Sequence, residues 1–259
     1  MSSQYLFGDT DIATQRLQVL AEVFADSSAA FLRDTVTATP RLVLDLGCGP
    51  GYSTRFLADV LSCDRVVGLD NSEHFILLAQ QTKRDGVAFH LHDVTAVPFP
   101  VGPSDLLYCR FLLTHLTEPA GVIGKWATQL RRKGLLLVEE VEWIHTTNAV
   151  FSAYLNMLAA LMEHQSRKLN MGPDLDALED SMTLTKQRSQ VRRFPVSTDK
   201  AATMFVLNMQ AWKHQPFIRA HHSASMMTQL ETDLRAFTKT ASREIEIEWG
   251  LRQIAFERV

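Results

Sequence analysis

The chain has 259 residues, of which 46% are apolar and 21% charged: enough apolar material for one large α/β core, and the wrong balance for a disordered chain. A net charge of −3 gives no electrostatic basis for a nucleic-acid or anionic-membrane partner. Three cysteines (Cys48, Cys63, Cys109) without CxxC spacing argue against a disulfide framework or a zinc site; with no membrane-length apolar run and no basic-then-apolar leader, the expected location is cytoplasmic.

The first ten residues carry Tyr5, Phe7 and Gly8, aromatic for a free tail. Either these rings staple the next helix to the core, or they close over a ligand site. Asp9 or Thr10 caps that helix, whose apolar face is Leu17, Leu20, Phe24 and Phe31. Leu42 to Leu46 is a short apolar run bounded by Pro40 and by glycines, the pattern of a buried strand. From Tyr52 the apolar residues Phe56, Leu57, Val60 and Leu61 switch to helical spacing. The turn between them, Gly47-Cys48-Gly49-Pro50-Gly51, lets backbone approach a ligand and aims a helix N-terminus at an anion.

Tyr52 stands where a dinucleotide fingerprint needs its third glycine, and no G-x-x-x-x-G-K-[ST] occurs, which excludes a P-loop. With its acid two residues before the first glycine, Asp45-Leu46-Gly47-Cys48-Gly49-Pro50-Gly51 resembles motif I of the class I S-adenosylmethionine (SAM)-dependent methyltransferases. That resemblance implies that Gly47, Cys48 and Gly49 cradle the amino-acid part of S-adenosyl-L-methionine. The Tyr5-x-x-Gly8 pair followed by Arg16-Leu17 is similar to the N-terminal lid of small-molecule members, which would bring Tyr5 to the cofactor.

A second strand, Arg65 to Asp70, ends in an acid about twenty residues after the glycine turn, the distance at which nucleotide-binding βαβ units hold ribose hydroxyls. Asp70 is the ribose candidate, and Asn71-Ser72 starts the next helix. Val87 to Leu91 is a third strand; the resemblance assigns adenine contacts to Asp93 and Val94 just beyond it. His90 and His92 lack further ligands within sequence reach, so no metal is expected.

Ser104 to Cys109 is a fourth strand, continuing into Arg110-Phe111-Leu112-Leu113-Thr114-His115. In the family this segment runs beneath the methyl donor. Cys109-Arg110-Phe111-Leu112 replaces the Asp-Pro-Pro-Tyr type of tetrapeptide used on base amino groups, and offers no metal-binding acids of the catechol type. Arg110 suits a carboxylate of donor or substrate, and His115 is a candidate general base or a packed structural histidine. A helix from Glu118-Pro119 is expected to end at Arg131-Arg132-Lys133-Gly134, with Leu135 to Val141 as the fifth strand.

After residue 145 an amphipathic helix carries Phe151, Tyr154, Leu155, Leu158 and Met162, and Gly172-Pro173 breaks the segment. Eight of nine methionines lie beyond residue 150, which suits an adaptable apolar pocket and equally an ordinary helical core. A sixth strand is expected at 190–197, helices at about 199–213 and 223–240, and strand-like stretches at 244–249 and 251–258. The whole reads as α/β: a doubly wound, mostly parallel seven-stranded Rossmann-like sheet. An N-terminal lid over residues 1–38 precedes a methyltransferase domain over 39–259, with a helical substrate-cap insertion at about 147–186. The expected partner is a small, partly apolar metabolite rather than nucleic acid or membrane. The alternatives are a repurposed or non-enzymatic methyltransferase fold and, less favoured by charge, an RNA methyltransferase.

Overall fold

The strands are bordered at several ends by residues that break a run: Gly47, Gly86, Pro103 and the helix cap Ser197. In the computed structural model, which describes residues 8–82, 84–239 and 247–259, the strands are β1 (Leu42–Leu46), β2 (Arg65–Asp70), β3 (Val87–Leu91), β4 (Ser104–Arg110), β5 (Leu130–Thr146), β6 (Leu184–Val196) and β7 (Ile247–Arg258). They form one sheet in the order β3-β2-β1-β4-β5-β7-β6. The first five run parallel, and β7 is antiparallel to both neighbours. Strand order reverses between β1 and β4, so a crevice opens at their carboxyl ends.

The helices are α1 (Asp11–Thr35), α2 (Tyr52–Val60), α3 (Glu73–Gln81), α4 (Pro119–Ala127), α5 (Ala149–His164), α6 (Gly172–Asp176), α7 (Thr198–Trp212), α8 (Pro216–His221) and α9 (Ala224–Phe237). Thr10 caps α1 and Ser72 caps α3 through their side-chain oxygens. One core layer packs α1 and α2 on one sheet face through Phe31, Leu32 and Leu57; another packs α4 on the opposite face through Trp126 and Ile123. A third cluster gathers α1, α5, α7, α8 and α9 over the extended ends of β6 and β7, around Phe24, Phe151, Tyr154, Phe205, Trp212 and Trp249. Because β5 overshoots β4 by a run of residues paired only with β7, these helices have a platform beside the crevice.

Several expected boundaries differ. The helix opened by Pro119 stops at Ala127, so Arg131, Arg132 and Lys133 start a strand instead of complementing a helix dipole. Gln129 is the reason: its carbonyl takes the Ser104 amide at 2.9 Å and its side chain takes the Phe99 amide at 2.9 Å, pinning a turn there. Arg131 instead pairs with Asp105 at 3.0 Å. The sixth strand begins at Leu184, six residues early relative to 190, and Gly172-Pro173 starts a short helix with proline at its first turn. The stretch from 247 to 258 is a single strand, with Gly250 inside it under the Trp143 ring; residues 244–246 of the expected strand lie outside the described residues. Helix α8 was not expected.

Candidate functional site

The carboxyl ends of β1, β2 and β4 deliver the site. Gly47 sits at φ +69°, and a Cβ there would lie 2.8 Å from the Leu112 side chain, so only glycine fits between the first strand and the post-β4 segment. Gly51, at φ +83°, opens α2, and a Cβ would meet the Phe89 ring at 2.6 Å. The intervening backbone is held from below. Asp45 accepts the hydroxyls of Ser53 and Thr54, both at 2.6 Å, strapping the first turn of α2 to β1. Burial pushes the Asp45 carboxyl up to about 6, against these two hydrogen bonds and the Arg110 charge.

Asp70, at the end of β2, accepts the Gly49 amide at 2.8 Å and the Ser72 amide at 2.9 Å. Burial raises its carboxyl above the ordinary range, while those amides and that of Asn71 pull it back. Ser72 also donates to Asp9 at 2.9 Å, which brings the segment before α1 across the mouth. The resulting cavity has a volume of about 400 Å3. Gly47, Cys48, Gly49, Asp70, Asn71, Arg110 and His115, all expected from sequence, line it together. Burial raises the Cys48 thiol well above its usual range, so this residue contributes shape rather than a thiolate.

Two expected residues stand elsewhere. Asp93 is exposed and gives its Oδ1 to the amide and hydroxyl of Thr95, a turn-closing arrangement. Val94 is buried in the sheet core, and its carbonyl takes the Trp126 indole N–H at 2.8 Å. Neither is on the cavity wall, where Phe75 and Leu116 are found instead. Tyr5 lies outside the described residues. Among the described residues no cluster of histidine, cysteine or acidic side chains is arranged to hold a metal ion, and no helix is long and apolar enough to cross a membrane.

Arg110 is oriented from behind. Its guanidinium donates to Ser28 Oγ at 2.9 Å, and the Ser28 hydroxyl donates to Glu139 at 2.6 Å. Glu139 also accepts from Tyr108 at 2.5 Å and from Gln253 at 2.6 Å, so four elements meet at one buried carboxyl. Glu140 points to the other side and accepts the Leu113 amide at 2.6 Å, fixing the 3-10 turn Leu113–His115. Burial pushes the Glu140 carboxyl up to about 8, against the amides of Leu113, Thr114 and Leu112.

His115 closes the inner end of the cavity. Burial, with Arg16 and Arg167 nearby, lowers its imidazole to about 3, so it is a neutral ring at any working pH. Beyond it opens a second chamber of about 90 Å3, whose wall combines apolar residues of α1, α5 and α7 with Arg16, His115, Glu140 and Asn208. Sequence reading missed this set. Arg16 was visible only as part of the Arg-Leu pair, and no local pattern joins it to Asn208.

Residues 44–138 match a family model described as a methyltransferase domain, a span running from β1 through the glycine turn to β5. The chain has the class I methyltransferase fold. Trans-aconitate 2-methyltransferase of Methylobacterium nodulans is 36% identical over 121 residues, covering 45% of this chain and 46% of that relative. The chain thus spans about half the length of the curated relatives it matches. Among solved structures, coclaurine N-methyltransferase bound to N-methylheliamine and S-adenosylhomocysteine (SAH) aligns at TM-score 0.54 and 15% identity, over 90% of this chain and 72% of that one. The [4+2]-cyclase SpnF aligns with the same score and identity, over 90% and 80%. At such identities these likenesses describe the fold, and the methyltransferase fold hosts more than one chemistry.

Proposed function

We propose that the protein transfers the methyl group of SAM to a small, partly apolar metabolite. The observation carrying this reading is the convergence of the Gly47–Gly51 cradle and the Asp70 carboxylate on one cavity that continues into an apolar chamber. The cradle also passes a test of fit, since side chains at Gly47 or Gly51 would collide with Leu112 or Phe89 and no other residue keeps the turn open. SAM, when bound, supplies an electrophilic methyl on a sulfonium centre.

The chain's own residues then bind, orient and exclude water. Asp70 keeps lone pairs for ribose hydroxyls beyond those used by Gly49 and Ser72, and Arg110, held by Ser28, faces the donor's carboxylate. Residues 1–38 act as the lid, and the helices of about 147–186 contribute to the substrate cap. Arg16, Leu20, Phe111 and His115 line both cavity and chamber, and the acceptor meets the donor in line where the two adjoin. Adenine contacts fall to Phe75 and Leu116 in place of Asp93 and Val94.

The test is incubation with methyl-labelled SAM and fractionated metabolite extracts, read by mass spectrometry for a labelled product and SAH. A labelled small molecule is expected. Cofactor binding with no labelled product from any fraction would favour the repurposed fold, and label on bulk RNA would favour an RNA enzyme.

A further inference from the structure

We propose that Glu140 is the general base of the reaction and that the acceptor is a small aromatic hydroxyl compound, its ring held in the second chamber and its phenolic proton passed to the Glu140 carboxylate. This rests on the methyl-transfer reading above and adds the acceptor class and the destination of the proton.

Glu140 stands on the acceptor side of the site. Arg110 pairs with Glu139 in the β4–β5 register, and alternation along β5 turns the two neighbouring acids to opposite faces of the sheet. Glu139 enters the Ser28 network behind Arg110, whereas Glu140 meets the turn Leu113–His115 and lines the second chamber. It is 1% exposed. Its Oε1 accepts the Leu113 amide at 2.6 Å, and the amides of Thr114 and Leu112 also favour its charged form. A carboxylate has about four lone-pair sites, so these amides leave it capacity for a proton from the chamber. Once protonated, it carries an O–H donor that amides cannot accept, and an oxygen in the chamber can. A glutamine would serve the Leu113 amide equally well, so the turn alone does not call for an acid. The rest of the wall suits a ring, with Phe24, Phe111, Phe205 and Trp249 beside the adaptable Met162 and Met204.

The titratable and charged groups around Glu140 are Arg16 on α1, Cys109 on β4, His115 on the turn, Glu139 beside it on β5, Tyr154 on α5 and Arg167 after α5. From α7 and β7 come Asn208 and Trp249, which carry no charge. Arg16 and Arg167 both oppose a positive charge at His115, so this end of the chamber disfavours an ammonium and favours an oxygen that is gaining negative charge. His115 is lowered to about 3 and Glu140 is pushed up to about 8. Of the two, only Glu140 is matched to a phenolic hydroxyl, ordinarily near about 10. The step balances. An oxygen lone pair of the acceptor forms the new O–C bond to the methyl, the C–S bond breaks, and its electron pair stays on sulfur. The phenolic proton moves to the Glu140 carboxylate. Sulfonium, phenol and carboxylate become thioether, aryl methyl ether and carboxylic acid, and the acid gives its proton to water before the next turnover.

The test uses the full-length protein with SAM and two phenols, 4-ethylphenol and 4-nitrophenol, the second already largely ionised at pH 8. Cyclohexanol and 4-ethylaniline serve as acceptors outside the class. Product is measured by mass spectrometry from pH 6 to pH 9, and thermal unfolding with saturating SAH checks folding and donor binding. The expected result is methyl ether from the phenols, with kcat/KM for 4-ethylphenol rising to a plateau near pH 8. For Glu140→Gln the rate with 4-ethylphenol is expected to fall about a hundredfold or more and to lose that inflection. Its loss with 4-nitrophenol should be less than a tenth as large, and stabilisation by SAH should persist. Glu140→Asp, the second variant, keeps a carboxyl and should recover part of the loss. If the SAH-binding Gln variant loses both phenols equally, or neither, Glu140 is not the base and the proposal falls. If SAH stabilises the wild type but no phenol is methylated, or cyclohexanol or the aniline is methylated in preference, the proposal falls and methyl transfer stands. If SAH has no effect on the wild type and no acceptor is methylated, both readings fall.

Discussion

The Ser28 hydroxyl donates to Glu139 at 2.6 Å, tying α1 to the end of β5 within a buried network that also holds Tyr108, Gln253 and Arg110. Truncating its hub leaves several buried donors without an acceptor. Glu139→Ala is therefore expected to lower unfolding free energy by about 3 kcal/mol or more, and Ser28→Ala by about 1 kcal/mol. Urea unfolding measures both, and a Glu139→Ala loss below that of Ser28→Ala would contradict the hub. Ser28→Ala should also weaken SAH binding several-fold, because Arg110 loses its fixed partner.

Glu140 gives a pH signature. Its carboxyl stays protonated up to about 8 in the folded chain, against 4.5 for the ordinary group. Between those values the unfolded chain is ionised while the folded chain still binds the proton, so this residue makes stability fall as pH rises through the window. The full swing is on the order of 3–5 kcal/mol. Glu140→Gln keeps an acceptor for the Leu113 amide and removes the titration, so its stability should decline less between pH 5 and pH 8. Parallel curves for wild type and variant, from urea unfolding at both pH values, would contradict the account.

His115 works in the opposite sense. Its imidazole is lowered to about 3 from 6.5, so the unfolded chain takes up a proton that the folded chain refuses, and stability falls as pH drops below 6.5. For turnover, an imidazole held this low is always in the proton-accepting form but is a weak base, poorly matched to drawing a proton from an acceptor near neutral pH. His115→Asn should keep kcat within about tenfold of wild type, below the 10²–10⁴ range of general-base catalysis. The wild-type profile of kcat/KM should show no inflection near 6.5 that the variant loses. A hundredfold loss together with such an inflection would restore His115 as the base.

The sheet core was legible where local pattern and long-range packing agree. Leu42–Leu46 and Arg65–Asp70 match their expected bounds because glycine or a cap side chain ends each run. The full length of β5 was not legible, since Glu142, Trp143 and His145 break the apolar run and become strand only by pairing with β7 and with Arg252, which clasps Glu142 at 2.7 and 2.8 Å. Asp70, expected from family spacing to hold ribose, lines the cavity, whereas at Asp93, expected to meet adenine, the turn closed by Thr95 leaves the carboxyl exposed. The relay behind the second chamber was not legible for a different reason. Arg16, Tyr154 and Asn208 come from three helices far apart in the chain, and only tertiary packing places them in one relay.

The central claim is that the glycine cradle and Asp70 bind the methyl donor. The most direct measurement is thermal unfolding with SAM or SAH at a hundredfold excess over Kd, with NAD as the control ligand and Asp70→Ala as the control protein. Linkage gives about 2.7 kcal/mol of stabilisation at that excess. For a chain of this size that is a rise of roughly 5–10 °C in Tm. The account predicts this rise for SAM and SAH, none for NAD, and its loss in the variant. An unchanged Tm with SAM and SAH at millimolar concentration, or an equal rise with NAD, would contradict it.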